Sequence, residues 1–423
     1  MSNEINPPAQ KKSIPRRRLI AGIVLIAAGL IILLLFGITL TAGQKATFIL
    51  TPSRDQLVIP IPDLVLPAQI AIYVLVLVTI FLGAWQLARG IRSTGVMAGV
   101  VGFCFVAAFL IWATAGKSMD LVGMLNTSVV RATPIALAAM CGVISERAGV
   151  VNIAIEGIML SGALTAVVSA TETHSLYIGL LVAMVTGAIL AAIHAVLVIR
   201  FNVDQIVSGT AINIIATGAT NFIAARFLEQ NIEQFNNSGV FPTLPIPLVT
   251  KIPILGPVFF ENNLMVYLTL VLVALIYIVL FFTPWGLRTR AVGEHPKAAD
   301  TLGIKVYMMR YVNVVLGGIM AGIGGAYFTV GSIGRFDRQM TNGRGFIGLA
   351  AMIFGNWNPI GAYASSLIFG FADSLQVKMQ ILKIPIPSEF LGMAPYLVTM
   401  IILGGFVGRV HAPAADGAPY KKE

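Results

Sequence analysis

Long apolar runs follow one another along most of this chain, at 19–40, 67–88, 95–115, 121–141, 150–169, 176–199, 205–225, 264–284, 307–328, 345–355, 359–377 and 391–408, with short polar connections between them. At 1.5 Å per residue, about 20 apolar residues cross a hydrocarbon core about 30 Å thick. The runs therefore predict twelve helical segments if each crosses. Membrane barrel strands alternate apolar and polar residues over about ten positions, and these runs are too long and too uniform for that. The expected fold class is an all-α polytopic membrane protein with about 10 to 12 transmembrane or half-spanning helices.

Two segments break the regular pattern. The stretch 345–355, "GFIGLAAMIFG", spans only about 16 Å as a helix, around half the core, and a break at "GNWNPIG" follows it. The region 133–149 reads in the same way: Pro134 suggests an interruption, and the polar "SERAG" precedes the next helix. Short, Gly-interrupted segments in both halves of a membrane chain point to a transport pathway through a broken-helix core.

Polar positions inside the apolar runs carry the candidate chemistry. With 149–163 helical, Gly149, Asn152, Glu156, Met159 and Ala163 share one face, and the small residues opposite allow close helix contact. An intramembrane carboxylate is costly and marks a functional site by default. Glu156 is then either a structural acid, protonated or bonded to backbone amides freed at the "SERAG" break, or a contact for a transported solute or its gate. In "DQIVSGTAINIIATGATNFIAARF" the residues Thr210, Asn213, Thr217, Thr220 and Asn221 recur every three or four positions as one polar stripe. Such a stripe is interhelical glue or the wall of a wet cavity. The substrate-path candidates are Asn152, Glu156, Asn213, Thr217 and Asp373, with Asp373 and Gln376 read as an extension of the stripe.

Composition sharpens the class. Of 423 residues, 57 % are hydrophobic and 11 % charged, which excludes an ordinary water-soluble surface. The net charge of +10 is not arranged as a basic stripe with interleaved aromatics, so no nucleic-acid partner is expected. Under alternating topology, 17 of the 28 Lys and Arg residues fall on one side, including "KKSIPRRR" at 11–18. That bias places both ends in the cytoplasm. The apolar run after 11–18 is too long for a signal peptide, so it reads as an uncleaved first span. Cys104 and Cys141 lie in apolar runs, and His174, His194, His295 and His411 are scattered; no metal site is expected.

The densest mixed-charge connection is "TPWGLRTRAVGEHPKAADTLGIKVYMMR", 283–310. Pro296 suits the first turn of a short helix and Gly303 its end. Taken with "ISERAGVVNIAIEGIMLSGA", "DQIVSGTAIN" and "GRGFIGLAAMIFGNWNPIGAYASSLIFGFADSLQ", this stretch resembles the membrane permease subunits of ATP-binding-cassette importers, in the branch for ribose, branched-chain amino acids and nucleosides. The wording is most similar to the nucleoside permeases that work with a basic-membrane-protein type lipoprotein. The resemblance covers about residues 117–410.

With the charge bias and the apolar runs, the expected division is a cytoplasmic basic stretch at 1–18, additional spans at 19–116 that the nucleoside branch does not usually carry, a permease core at 117–410 that the resemblance covers, and a cytoplasmic stretch at 411–423. The resemblance implies an ATPase-coupling loop at 285–306, with Arg290, Gly293, Glu294, Pro296, Ala299 and Gly303 matching that motif. Asn152, Glu156 and Gly157 match the intramembrane signature, and Asp204, Gln205 and Gly209 a third motif. The implied partners are a second related permease, a cytoplasmic ATP-binding-cassette ATPase, an extracytoplasmic lipoprotein or substrate-binding protein, and the lipid bilayer. No cofactor is expected in this chain; ATP and Mg would be used by partner subunits.

The only approach to a nucleotide loop, "GKS" at 116–118, has Ile111 where the first Gly should stand. The expected function is thus a permease without its own ATPase or catalytic site, for a nucleoside, with a purine nucleoside as the first expectation. The alternatives are a simple sugar or branched-chain amino acid on the same architecture, or an ion-coupled transporter using Glu156 and Asp373.

Overall fold

The computed structural model describes residues 16–41, 43–51, 61–90, 94–384, 386–387, 390, 392–393 and 411–422. Most of the expected segment 391–408, and the basic residues before 16, lie outside this set. Fifteen α-helices occur among the described residues: α1 Arg16–Ile32, α2 Ala68–Ala88, α3 Thr94–Ala113, α4 Leu121–Glu146, α5 Ile155–Thr173, α6 Leu176–Ala195, α7 Gln205–Ile223, α8 Ile232–Phe235, α9 Leu255–Phe259, α10 Leu264–Phe282, α11 Pro284–Glu294, α12 Pro296–Thr301, α13 Val306–Phe328, α14 Arg344–Phe354 and α15 Pro359–Ile381. Seven helical stretches among them are long and apolar enough to cross a membrane. The all-α polytopic class is thereby shown.

Contacts divide the chain into two compact units, one built on Met1–Leu50 and Pro62–Leu121, the other on Val122–Ile381. In the first, α1 and α2 approach through small residues: a β-carbon at Gly83 would lie 2.6 Å from Ile26 Cγ1. Arg18 donates to the last carbonyls of α2, Gln86 O and Leu87 O, both at 2.9 Å, where a cation offsets the helix dipole. A small sheet of β1 Lys45–Ile49, β2 Leu64–Pro67 and β3 Ser118–Asp120 has the order β2-β1-β3, antiparallel then parallel.

The second unit is built around α4, α5, α6 and α13. Lipid is as apolar as a leucine side chain, so these helices gain their stability from close packing. Glycine makes that possible: a β-carbon on Gly325 of α13 would run into Met159 O of α5, and Gly187 of α6 lies against Gly318 O.

Pro134 does not interrupt the chain. α4 runs unbroken from Leu121 to Glu146, correcting the expected break there. A proline inside a helix costs about 3 kcal/mol, but residues 132–146 are buried without exception, and the packing of that surface outweighs one missing donor. The break expected at "SERAG" is present: the chain leaves the helix over 147–154, and α5 starts only at Ile155. The expected helix from 149 is therefore also corrected: Asn152 lies in a loop and shares no helical face with Glu156. The short α14 of 11 residues and the break at 355–358 are as expected.

Candidate functional site

The loop 147–154 lies at the centre of a polar network. Gln205 Oε1 accepts the Val151 N–H at 2.6 Å, and the His194 ring sits between Val151 O and Ser208 Oγ, at 3.0 Å from each. Asn213 acts twice: its Oδ1 accepts the Gly157 N–H at 2.8 Å, and its Nδ2 donates to Ile153 O at 2.9 Å. Asn152, fully buried, accepts the Ala154 N–H at 3.1 Å. The loop thus finds partners for its backbone away from water, as irregular chain at membrane depth must. Asp204 caps α7 through the Ile206 and Val207 amides, and a β-carbon on Gly209 would stand 2.9 Å from Ala154 N. The motif 204–213 is therefore a cradle for this loop.

On the first turn of α5, the half-buried Glu156 reaches across to the start of α14. Its Oε1 accepts from Thr341 Oγ1 at 2.6 Å and the Gly343 N–H at 2.8 Å, and its Oε2 accepts the Gly345 N–H at 2.7 Å. The first amides of a helix lack intrahelical acceptors, and a carboxylate there is also favoured by the helix dipole. Arg344, between those amides, pairs with Asp373 Oδ2 of α15 at 3.1 Å and lies over the Phe328 ring. Asp373 therefore joins the α14 start and not the stripe on α7.

At the other end of the loop stand the two short helices of the mixed-charge connection. Thr283 caps α11 with Pro284 in its first turn. His295 caps α12, Pro296 opens it, and Gly303, at φ +81°, follows its end. Gly293, near the end of α11, touches the Arg147 carbonyl so closely that no β-carbon fits. Arg147 in turn donates to Trp357 O at 2.9 Å and Asn356 O at 3.2 Å, at the break after α14. Burial lowers the pKa of Arg147, Glu294 opposes that shift and Arg290 adds to it.

The structure thus brings Asn152, Glu156 and Asn213 together around one loop, with Gly293 on its far side. Thr217 is half-buried on α7, one turn beyond Asn213, and Ala299 is buried in the cluster Val292–Val306–Met309. Arg290 faces the Phe281 ring, 5.1 Å from its centroid. Residues absent from the sequence-based candidates are Arg344, Thr341, His194, Glu146 and Trp357, whose Nε1 donates to Glu146 Oε2 at 2.6 Å. Arg344 and Trp357 stand in motif stretches, but each does its work through a partner distant in sequence.

Residues 124–405 match the family described as the branched-chain amino acid transport system permease component. The chain is 42 % identical to the guanosine ABC transporter permease protein NupQ of Bacillus subtilis, over 72 % of this chain and 99 % of NupQ. It is 43 % identical to the nucleoside ABC transporter permease protein NupC of Lactococcus lactis, over 70 % of this chain and 95 % of NupC. With a second Lactococcus lactis nucleoside permease, NupB, identity is 23 % over 67 % of this chain and 79 % of NupB. No solved structure matches significantly. The chain belongs to the family of branched-chain amino acid transport system permease components, and is a multi-pass membrane permease of the ATP-binding-cassette importer type.

Proposed function

We propose that this chain forms the translocation path of an importer for nucleosides, purine nucleosides first, and that it takes energy from separate cytoplasmic ATPase subunits that use ATP and Mg. The observation that carries the reading is similarity along nearly the whole length of a guanosine permease, with the same family match over 124–405. A second permease of the NupB kind is the expected partner, since Lactococcus lactis has both a close and a distant relative of this chain. An extracytoplasmic binding protein would deliver solute.

The geometry supports a mechanical route. ATP-driven movement of the partner ATPases would push on α11 and α12, through residues including Arg290, Glu294, Pro296 and Ala299. Gly293 bears directly on the backbone of Arg147, so the push enters the loop 147–154. That loop leads into Ile155 and Glu156, and the Glu156 carboxylate carries the motion to α14. Shifting α5 against α14 would open and close the path beside Asn213 and Thr217. No chemistry on the solute is needed, and the chain has no ATPase or catalytic role in this reading.

The test is uptake of labelled guanosine and adenosine by cells with and without this chain, with excess unlabelled uridine, ribose and leucine as competitors. Loss on deletion, with competition by nucleosides alone, is the expected result. Nucleoside uptake that survives deletion would overturn the solute assignment in favour of a sugar or amino acid.

A further inference from the structure

Residues 411–422 lie as a strap along α11, α12 and the start of α13. Ala415 N–H donates to Gly293 O at 2.8 Å and Ala414 N–H to Glu294 Oε2 at 3.2 Å. Tyr420, only 6 % exposed, packs with Val292, Ala299, Val306 and Met309, and the Tyr307 hydroxyl meets Tyr420 O at 3.4 Å. Lys422 pairs with Asp300 of α12 at 3.6 Å. A solvated connector has no reason to bury an aromatic ring, since Tyr is worth burying only where a site receives it.

The strap also answers a charge. Arg310 on α13 is 3 % exposed, and an unpaired buried cation is strongly unfavourable. The strap meets it in part: Ala418 O accepts from Nη1 at 3.0 Å, the Tyr420 ring lies 6.0 Å away and the Asp416 charge acts on it, while Nε and Nη2 have no hydrogen-bond partner among the described residues. The loop 147–154 joins the same junction, because a β-carbon on Gly149 would lie 3.0 Å from Ala415 O and 3.1 Å from Arg310 Nη2.

The Asp416 carboxyl, with Oδ1 buried and unpartnered among the described residues, lies beside the Glu146 carboxyl, which is 4 % exposed. Ionised carboxylates only accept, so the contact requires a hydrogen between them. Around the pair stand Arg310 from α13, Trp357 from the break after α14, Cys141 one turn back on α4, and Arg147 with Glu294 and Arg290 alongside.

We propose that residues 411–422 are a positioning strap, latched by a hydrogen shared between Asp416 and Glu146, that holds α11 and α12 against the loop 147–154 so that a push on the helices moves the loop. The proposal rests on the reading of α11 and α12 as the ATPase-facing helices. Without the strap, only the Gly293–Arg147 contact and the attraction between Glu294 and Arg147 hold α11 to the end of α4 among the described residues, and the helices slip instead of transmitting.

The test uses the whole transporter in proteoliposomes, with ATP hydrolysis and nucleoside uptake measured on the same sample for wild type, D416A, D416N, a chain lacking 411–423 and a chain lacking 296–301. D416A and the strap deletion should assemble with the ATPase subunits at the wild-type ratio and hydrolyse ATP at close to the wild-type rate. Each should move about tenfold less solute per ATP, the scale of one lost hydrogen bond to a charged group. D416N keeps a donor toward Glu146 but loses the charge facing Arg310, so it should restore part of the ratio that D416A loses, a partial rescue that a loss of general stability would not show. Unchanged solute per ATP in D416A and the strap deletion overturns the proposal, as does a parallel fall in hydrolysis and uptake. If the chain lacking 296–301 still couples, the assignment of α11 and α12 fails and the strap proposal falls with it; an uncoupled 296–301 deletion beside unaffected strap variants overturns the strap alone.

Discussion

Glu156 and Gly345 meet at the start of α14: the carboxylate accepts the Gly345 N–H at 2.7 Å, and a β-carbon on Gly345 would lie 2.8 Å from the Glu156 α-carbon. The acid is therefore a helix cap supplied from another helix, and the glycine is what lets it approach. A stranded buried donor costs about 1–3 kcal/mol. E156Q keeps one oxygen for Thr341 and Gly343 but turns an amide donor toward Gly345, so it loses one bond where E156A loses three. Melting temperature in detergent and guanosine uptake should both fall in the order wild type, E156Q, E156A. Gly345→Ala should be at least as damaging as E156A, whereas Gly343→Ala, at φ +75° with nothing within 4 Å, should cost only about 1–2 kcal/mol of left-handed strain. Equal effects at the two glycines would contradict the contact.

Arg344 and Asp373 bear on the same helix start from α15. Their side chains are 20 % and 13 % exposed, so each charge depends largely on the other. Removing one partner of a buried pair costs about 3–5 kcal/mol, while replacing both by apolar residues of similar volume is often neutral. R344M and D373L alone should lower the amount of folded protein in the membrane, and the double variant should recover it. Additive losses in the double variant would mean that the two charges do not act as a pair.

Two glycines of the connection between α10 and α13 do different things. Gly293 touches the Arg147 carbonyl with no room for a methyl group, and Gly303 has open space but a φ of +81°. Gly303→Asn, which tolerates the left-handed region, should leave uptake nearly unchanged. Gly293→Ala forces α11 off the loop 147–154 and should abolish uptake while α12 remains intact. A mild Gly293→Ala would show that the loop does not follow α11.

Burial pushes the Asp416 carboxyl up to about 6, against a usual carboxylate value near 4. The attached strap therefore holds a proton that the detached strap has already lost between those values. Attachment gains from that proton at low pH and weakens as pH rises from about 4 through about 6, with no further change from this group above. A spin label at Ala418→Cys should become more mobile over that window, and D416N, which removes the Asp416 titration and leaves only Glu146 at the site, should show a smaller change there. Equal slopes in the two proteins would remove Asp416 as the cause.

Local signals made much of this architecture legible. Pro296 and Gly303 bracket α12 because proline suits a helix start and glycine its end, and both act on their own turn. The shortness of α14 follows from the glycines around it. Pro134 misled because its local cost is outweighed by burial of every residue from 132 to 146, which no window of sequence reveals. Asn152 misled in another way: "GVVNIA" carries a helix-like apolar period, but its backbone is claimed by Gln205, His194 and Asn213 from other helices. The strap was invisible for a related reason, since Ala415, Asp416 and Tyr420 are isolated positions with no repeat and partners more than 100 residues away.

Asn213 offers the sharpest test of what the stripe on α7 is for. Its amide joins Gly157 N and Ile153 O, on either side of the start of α5, and a β-carbon on Gly157 would lie 2.9 Å from the Asn213 α-carbon. A residue that only lined a solute path would, when shortened, raise KM and leave the fold alone. A residue that fastens the loop must lower stability when shortened, because N213A strands both backbone groups at a cost of about 1–3 kcal/mol each. N213D keeps the acceptor for Gly157 and loses the donor to Ile153, so it should fall between N213A and wild type in melting temperature. Thr217→Ala, one turn along and half-buried, should leave the melting temperature within a degree or so, as substitutions away from such networks do. If N213A melts like wild type and changes only KM, Asn213 is a wall of the path, and the loop 147–154 is held by Gln205 and His194 without it.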